Sequence, residues 1–441
     1  MRTLAEWLTL QESVHPKSID MGLERVGTVA RTLGVSEPDF AAITVGGTNG
    51  KGSTAAHLEA MLGSLGASTG LFTSPHLIRY NERIRVDGSE VGDAELIAAF
   101  ERIERARADT TLTFFEYNTL AALLVFAHRR VDVAVLEVGL GGRLDATNLL
   151  AADVAVLASV GLDHRDYLGD TLEMIGAEKA GIFRRDRPAV LGTPQMPDSV
   201  FSALAAVGAR PVVAERDFSW RVHAAGWDYD GLRVALRNLA PSALAGSIQY
   251  RNAATALAAV EALYGGDAPR APVRALRGRL AAPDEHSLGA ALARVRLPGR
   301  FQVVPGEVEW ILDIAHNEPA ALTLAGQLRE RPLPRPSALP RAAGRTFAVI
   351  GVLADKDAAA IAAALSPLID RWIVCALPGP RGTSAAQLAQ RLALPVRIVQ
   401  LAQSVSAGCE AARAAATAGD RVVVCGSLHT VGPALQWLGL Y

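Results

Sequence analysis

The sequence predicts an α/β protein in two parts, a larger N-terminal domain built on a mostly parallel sheet and a smaller C-terminal α/β domain. Short β-branched runs alternate with longer alanine- and leucine-rich stretches at helical spacing, the pattern of βαβ units. Several of those runs are apolar without alternation, as strands covered on both faces must be. The rhythm stops near residues 294–300, where RVRLPGRF sets a proline and a glycine between helical sequence and a new strand, and then restarts. A length of 441 residues agrees with two or three domains, each able to bury a core. The expected boundaries are 1–297 and 298–441.

In chain order, the first domain offers strands at residues 42–45, 68–72, 132–138, 153–160 and 189–192. Helices are expected between them at 53–65, 93–108 and 119–129. Residues 219–239 differ: two loosely alternating stretches flank Asp230-Gly231, which favours a type I′ turn, so a hairpin is expected. Beyond the joint, strands are expected at 310–314, 346–351, 371–375, 396–399 and 421–425. Residues 331–345 hold Pro332, Pro334, Pro336 and Pro340 among arginines and predict an exposed loop.

Composition narrows the function. A net charge of −1 removes any global electrostatic case for nucleic acid or an anionic membrane as partner. Half the residues are apolar, enough to offset the entropy of ordering, so disorder is disfavoured. The N-terminal segment carries Glu6, Gln11 and Glu12 where a secretory signal needs an unbroken apolar stretch. Cys375, Cys409 and Cys425 form no CxxC pattern and predict core thiols in a reducing compartment. A cytoplasmic monomer acting on small molecules is expected.

The strongest local signal runs from Ile43 to Thr54, ITVGGTNGKGST, between a strand and a helix. Glycines let successive N–H groups point into one concavity, the helix brings its positive end there, and Lys51 supplies a mobile charge for phosphates. The spacing GxxxxGK[ST] is not met, since Val45 occupies the first glycine position and Gly52 follows the lysine. The strand-loop-helix context still makes this a P-loop, and the first domain a mononucleotide-binding one. A triphosphate needs a divalent metal with oxygen ligands, and Glu137 ends an apolar strand ahead of the flexible Gly139-Leu-Gly-Gly142. His164 follows the next strand, at the carboxyl ends where open α/β sheets place ligands. His164-Arg165-Asp166 imitates a kinase catalytic loop, but Thr171 stands where its asparagine should, no DFG follows, and no NKxD guanine motif occurs. Lys179 by itself reads as a surface helix lysine.

GGTNGKGS, LFTSPHLIRYNERIRVDG, FFEYNTLAAL, LEVGLGGRLDATN, LDHRDYLGDT and GAEKAGIF, with RLPGRFQ, LDIAHNEPAA, IGVLADKDA and VCGSLHTVGPAL further on, resemble in order the folate-adding members of the Mur ligase superfamily. The likeness runs from Ile19 nearly to the C-terminus, and SIDMGLERV at residues 18–26 points to the bacterial bifunctional dihydrofolate synthase/folylpolyglutamate synthase type. It implies a Rossmann-like C-terminal domain. It also implies ATP phosphates on Thr48, Asn49, Gly50, Lys51, Gly52 and Ser53, adenine on Asn252, and Arg300 and Asp313 reaching ATP across the domain joint. Mg2+ would bind Ser74, Glu137 and His164. Dihydropteroate would touch Ile19, Asp20, Met21, Thr113, Phe114, Phe115, Glu116, Leu144, Asp145 and Ala146. Lys179 corresponds to the family's carbamylated lysine, in which carbon dioxide turns an ammonium that would repel magnesium into an anion that binds it.

The chain departs from the family in places. Gly46 stands where alanine is usual, and Glu318 is inserted between the asparagine and proline of AHNEP. Residues 281–289 look like a surface insertion.

The implied reaction is ATP-dependent amide formation through an acyl phosphate, joining L-glutamate to dihydropteroate and to the glutamate tail of reduced folates. Lys51 and Arg300 would neutralise charge, domain closure would exclude water, and His316 with Asp355-Lys356-Asp357 would place glutamate or the acyl phosphate. A monofunctional folylpolyglutamate synthase is the rival reading, separated from the first by an assay on dihydropteroate. A nucleotide-dependent switch, answering to a macromolecule instead of to pterins and glutamate, is the alternative from another class.

Overall fold

The computed structural model describes residues 2–17, 19–265, 270–333 and 344–441. Much of the proline-rich loop, including Pro334, Pro336 and Pro340, lies outside the described residues, as does Ser18. Two compact units divide the chain: Met1–Ala243 with Gln249–Arg296, and Leu244–Ile248 with Leu297–Tyr441.

In the first unit the strands are β1 (Ala41–Gly46), β2 (Thr69–Phe72), β3 (Ile84–Val86), β4 (Ser89–Glu90), β5 (Val133–Glu137), β6 (Val154–Leu157), β7 (Pro188–Leu191) and β8 (Arg210–Val213). They form one sheet in the order β4-β3-β2-β5-β1-β6-β7-β8. The pairings from β2 through β8 are parallel, and β3 and β4 add an antiparallel edge.

Covered faces explain the unbroken apolar runs. On β5, Val133 and Val135 enter one core with Leu58, Met61 and Leu62 of the Lys51–Ser64 helix. Ala134 and Leu136 enter another, with Leu120, Leu123 and Leu124 of the Phe114–Arg129 helix. Successive side chains point to opposite faces, so a strand buried on both sides has no polar position to alternate with.

Register places the chemistry. Val45 pairs with Glu137 and Gly46 with Leu157, so β1, β5 and β6 end at one level. Their following loops therefore open along the same sheet edge, where parallel sheets hold ligands.

Two sequence expectations are corrected in this unit. The hairpin is a three-stranded antiparallel sheet, β9 (Ser219–His223), β10 (Gly226–Asp230) and β11 (Ala235–Leu239), with β10 central. No two-residue turn forms on Asp230-Gly231; residues 231–234 wrap the Glu261 carboxylate, which accepts N–H bonds from Leu232, Arg233 and Val234. The helix expected at 119–129 starts at Phe114, because Thr113 and Glu116 form a capping box that the apolar pattern hid.

The second unit has β12 (Gln302–Val304), β13 (Glu309–Asp313), β14 (Thr346–Ile350), β15 (Arg371–Cys375), β16 (Val399–Ala402) and β17 (Arg421–Cys425). Their order is β12-β13-β17-β14-β15-β16, parallel except for β12. The strand expected at 396–399 is a 3-10 turn, Val396–Ile398, and the strand begins at Val399. As an edge strand, β16 is mostly exposed, so it lacks the apolar run that marks its neighbours. Cys375, Cys409 and Cys425 are buried and unpaired.

Candidate active site

The loop after β1 is fastened to the loop after β6. Thr48 donates its hydroxyl to Gly161 O and accepts from Gly161 N, both at 3.0 Å, while its own N–H donates to Ser159 O at 2.8 Å. Ser159 Oγ accepts from Asn49 N at 3.2 Å and donates to Asn49 O at 2.9 Å. Glycine is demanded twice. At Gly47, φ is +142° and a Cβ would come within 3.1 Å of Ser159 N; at Gly50, φ is +86° and a Cβ would come within 3.0 Å of Asn252 Oδ1. Gly50 caps the 14-residue helix that starts at Lys51, with Gly52 and Ser53 buried in its first turn. Asn252, on the Ile248–Tyr264 helix, thus lies against the loop, and its amide donates to Gln249 Oε1 at 3.0 Å.

Two lysines converge on this loop. Lys51 Nζ donates to Gly47 O at 3.1 Å and Thr48 O at 3.3 Å, and Lys179 Nζ donates to Gly47 O at 3.1 Å. Lys179 is buried rather than on the surface, which corrects its reading in isolation: it sits in the last turn of the Leu172–Ala180 helix, facing in. Burial, with the like charge of Lys51 added, pushes its ammonium down to about 7, against opposing pulls from Asp163, Asp145 and Glu178.

Glu137 is buried at the end of β5, and its Oε2 accepts from the Thr73 hydroxyl and, at 3.1 Å, from Ser74 N. Ser74 and Glu137 are thereby brought together. His164, exposed, precedes the short Arg165–Leu168 helix with φ +51°, and its Nε2 lies 3.8 Å from Asp163 Oδ2. Among the described residues no group of three or more His, Cys, Asp or Glu forms a ready-made metal cluster.

The segment after β2 is organised by two consecutive side chains. Glu82 accepts the N–H groups of Leu77, Ile78 and Arg79 at 2.6–2.7 Å. Arg83 Nε donates to His76 Nδ1 at 2.7 Å, and Arg83 O accepts from Thr73 N at 2.9 Å.

The residues expected for dihydropteroate fall into two groups. Asp20 and Glu116 are joined through Arg25, whose Nη1 lies 2.8 Å from Asp20 Oδ2 and whose Nη2 lies 3.3 Å from Glu116 Oε1. Met21 lies against Gly141, and Phe115 covers Gly139 so closely that a Cβ there would come within 2.6 Å of its ring. Phe114 meets Tyr80 edge-on with ring centroids 6.2 Å apart, and Ile19 is exposed. Some members of the set, Glu116 included, carry structural duties. Thr113 and Glu116 exchange capping bonds at 3.2 and 2.7 Å. Asp145 accepts from Leu140 N and Thr147 N, both at 2.9 Å, which ties down the glycine-rich turn. Burial pushes its carboxyl up, against those same hydrogen bonds. Leu144 is half-buried and Ala146 buried beside it.

In the second unit, the Asp313 carboxylate accepts from Phe301 N and Ala315 N, each at 2.8 Å, and so clasps the turn that carries Arg300. Desolvation pushes the Asp313 carboxyl up while Arg300 opposes it. His316 Nδ1 lies 3.2 Å from Ile314 O. Asn317 caps the Glu318–Glu330 helix, so the inserted Glu318 occupies an exposed first-turn position where acid suits the helix dipole.

Ser159, Gly161, Thr73, Arg25 and Arg83 were not singled out from sequence. Ser159 and Gly161 directly precede LDHRDYLGDT, Arg25 lies in SIDMGLERV, and Thr73 and Arg83 lie in LFTSPHLIRYNERIRVDG, so motif context was their one available signal.

Known proteins resemble this chain along nearly its whole length. Residues 45–194 match the Mur ligase middle domain and residues 299–428 the Mur ligase glutamate ligase domain. The dihydrofolate synthase/folylpolyglutamate synthase of Escherichia coli K12 is 43% identical, over 98% of this chain and 95% of its own. The solved structure of E. coli FolC in complex with DHPP and ADP aligns with a TM-score of 0.88 at 42% identity, covering 99% of this chain and 98% of that one. A bifunctional folylpolyglutamate synthase/dihydrofolate synthase with Mn, AMPPNP and L-glutamate bound aligns with a TM-score of 0.87 at 39% identity, covering 100% and 99%. The chain belongs to the dihydrofolate synthase/folylpolyglutamate synthase family of Mur ligases, ATP-dependent ligases by class.

Proposed function

We propose that this chain joins the amino group of L-glutamate to two acceptor acids, dihydropteroate and the terminal glutamate of reduced folates. The observation that carries the reading is the convergence of Lys51 and Lys179 on one carbonyl of a glycine cradle, at the sheet edge where β5 ends in Glu137. The names of its relatives support both acceptors.

A carboxylate resists an amine at neutral pH because its carbon is a poor electrophile and oxide a poor leaving group. ATP supplies the γ-phosphoryl that turns the acid into an acyl phosphate, from which phosphate can leave. The cradle fits a triphosphate: it is bare backbone at positive φ, where a Cβ would crowd Ser159 and Asn252, at the N-terminus of a long helix. Thr48 to Ser53 hold the phosphates, and Lys51 leaves the Gly47 and Thr48 carbonyls for them. Asn252 steadies the nucleotide from the side of Gly50. Ser74, Glu137 and His164 fit Mg2+, whose charge screens the phosphates, since they offer hydroxyl and carboxylate oxygens with one imidazole.

Lys179, pushed to about 7, keeps a large share of neutral amine. Its nitrogen lone pair attacks carbon dioxide, a proton leaves to water, and the resulting carbamate replaces a repelling cation by an anion. Residues 1–297 serve nucleotide and pterin acid. Residues 298–441 supply Arg300 and Asp313 for ATP, and His316 with Asp355-Lys356-Asp357 for glutamate. We place the enzyme in the cytoplasm as a monomer; no helix among the described residues is long and apolar enough to cross a membrane.

ADP release coupled to dihydropteroate or tetrahydrofolate, each with and without glutamate, tests the reading. Glutamate-dependent release is expected with both acceptors. No release with dihydropteroate would remove the dihydrofolate synthase half.

A further inference from the structure

Arg83 is a cation enclosed by the protein with no carboxylate in ion-pair contact among the described residues. Its exposure is 7%. Only Nε is engaged by a side chain, donating to His76 Nδ1 at 2.7 Å. Its guanidinium carbon lies 5.4 Å from the centre of the Phe114 ring and 5.9 Å from that of Tyr80. Among the described residues, neither Nη group has a hydrogen-bond acceptor and no carboxylate makes an ion pair with it. Glu137 is near enough to feel its charge, but Oε2 of that carboxylate already accepts from Thr73 and Ser74. Burial disfavours the charged form of Arg83; the Tyr80 hydroxyl and the Glu82 and Glu137 carboxylates oppose that at a distance, and the contacts that remain are aromatic faces and one imidazole lone pair.

An enclosed guanidinium with both Nη groups unengaged is a fork for a planar oxyanion. Phe114 belongs to the pterin-acid set, and the Arg83 carbonyl fixes Thr73, the residue that donates to Glu137. We propose that Arg83 receives the reacting carboxylate of the acceptor acid on its Nη groups. It thereby holds one oxygen of that carboxylate for phosphorylation and neutralises the group while ADP departs. The oxygen–γ-phosphorus bond forms as the bond from γ-phosphorus to the β,γ-bridging oxygen breaks; no proton moves at Arg83. This rests on the ligase reading above and adds to it the residue that recognises the acid.

The test compares dihydropteroate with its carboxamide, which keeps the pterin and loses the charge, on the full chain, Arg83→Gln and Arg83→Lys. Wild type is expected to bind the acid about 10²-fold more tightly than the amide. In Arg83→Gln that ratio should fall to near one while ADP affinity stays within about threefold, and Arg83→Lys should restore part of it. Should Arg83→Gln fail to fold, a ratio in Arg83→Lys equal to that of wild type overturns the proposal. So does an undiminished ratio in folded Arg83→Gln, which would leave Arg83 a purely structural role. Failure of wild type itself to form an amide would instead remove the ligase reading, and the two results cannot be confused.

Discussion

Lys51 and Lys179 donate to the same carbonyl oxygen, that of Gly47, at 3.1 Å each. Two ammonium groups on one acceptor repel, and the half-buried member, Lys51, has more room to leave than the buried Lys179. Lys51 is therefore the mobile charge, and Lys179, enclosed on its helix, is the one whose charge state must give way.

Replacing Lys51 with Ala should lower kcat for both acceptors by about 10³-fold or more, because the phosphoryl group loses its mobile counter-charge. Steady-state ADP release checks this. Retained synthesis would contradict the role given to the loop.

Lys179 should show a carbamate. In 13C-bicarbonate, wild type is expected to give a carbamate carbon resonance that Lys179→Arg lacks, and carbon dioxide-free buffer should depress activity reversibly. Stability follows with a definite sign. A lysine near 10.5 unfolded and about 7 folded binds fewer protons when folded, so its cost is full below pH 7 and is relieved as pH rises. Between pH 7 and 9, in carbon dioxide-free buffer, wild type should gain about 2 kcal/mol relative to Lys179→Met in denaturant titrations.

Gly47→Ala should weaken ADP binding at least tenfold. The new Cβ meets backbone atoms of Ser159, which cannot swing aside, at a φ that L residues avoid at a cost of roughly 1–3 kcal/mol. Calorimetric titration with ADP reads the loss, and unchanged affinity would mean that the cradle relaxes freely.

His57, buried in the same helix, has Nδ1 2.7 Å from Ser53 O and Nε2 2.9 Å from Ser242 Oγ. Burial holds it down to about 4 from an ordinary value of 6.5, so the unfolded chain binds the proton first as pH falls. The stability of the neutral form is complete above pH 6.5 and should drop by about 3 kcal/mol by pH 4. His57→Gln should flatten that part of the pH profile. A wild-type profile just as flat would remove the assignment.

Much of this architecture was legible in the amino-acid order because it rests on local chemistry. Strands such as β1 and β5 are short, apolar and doubly covered, and the glycines of the loop after β1 announce backbone that side chains would block. The carboxyl-end positions of Glu137 and His164 followed from strand order alone. What escaped depends on distant partners. Thr113 extended its helix through a capping bond to Glu116, Asp230-Gly231 was overruled by Glu261, and the mostly exposed β16 carries no apolar signature. The burial of Lys179 could not be read from GAEKAGIF, since it depends on Gly47, more than a hundred residues earlier.

The excursion of Leu244–Ile248 into the second unit means that neither unit is one unbroken stretch of chain. Ala245 packs on the C-terminal core, and Gly246, at φ +100°, sits against the Gln327 amide, which would have to move for a Cβ. A gene cut at the proline-glycine joint would strand this pentapeptide with the wrong fragment. The C-terminal half expressed alone would lack Ala245, which packs onto its core, so simple end-to-end splicing of these modules would leave that core incomplete.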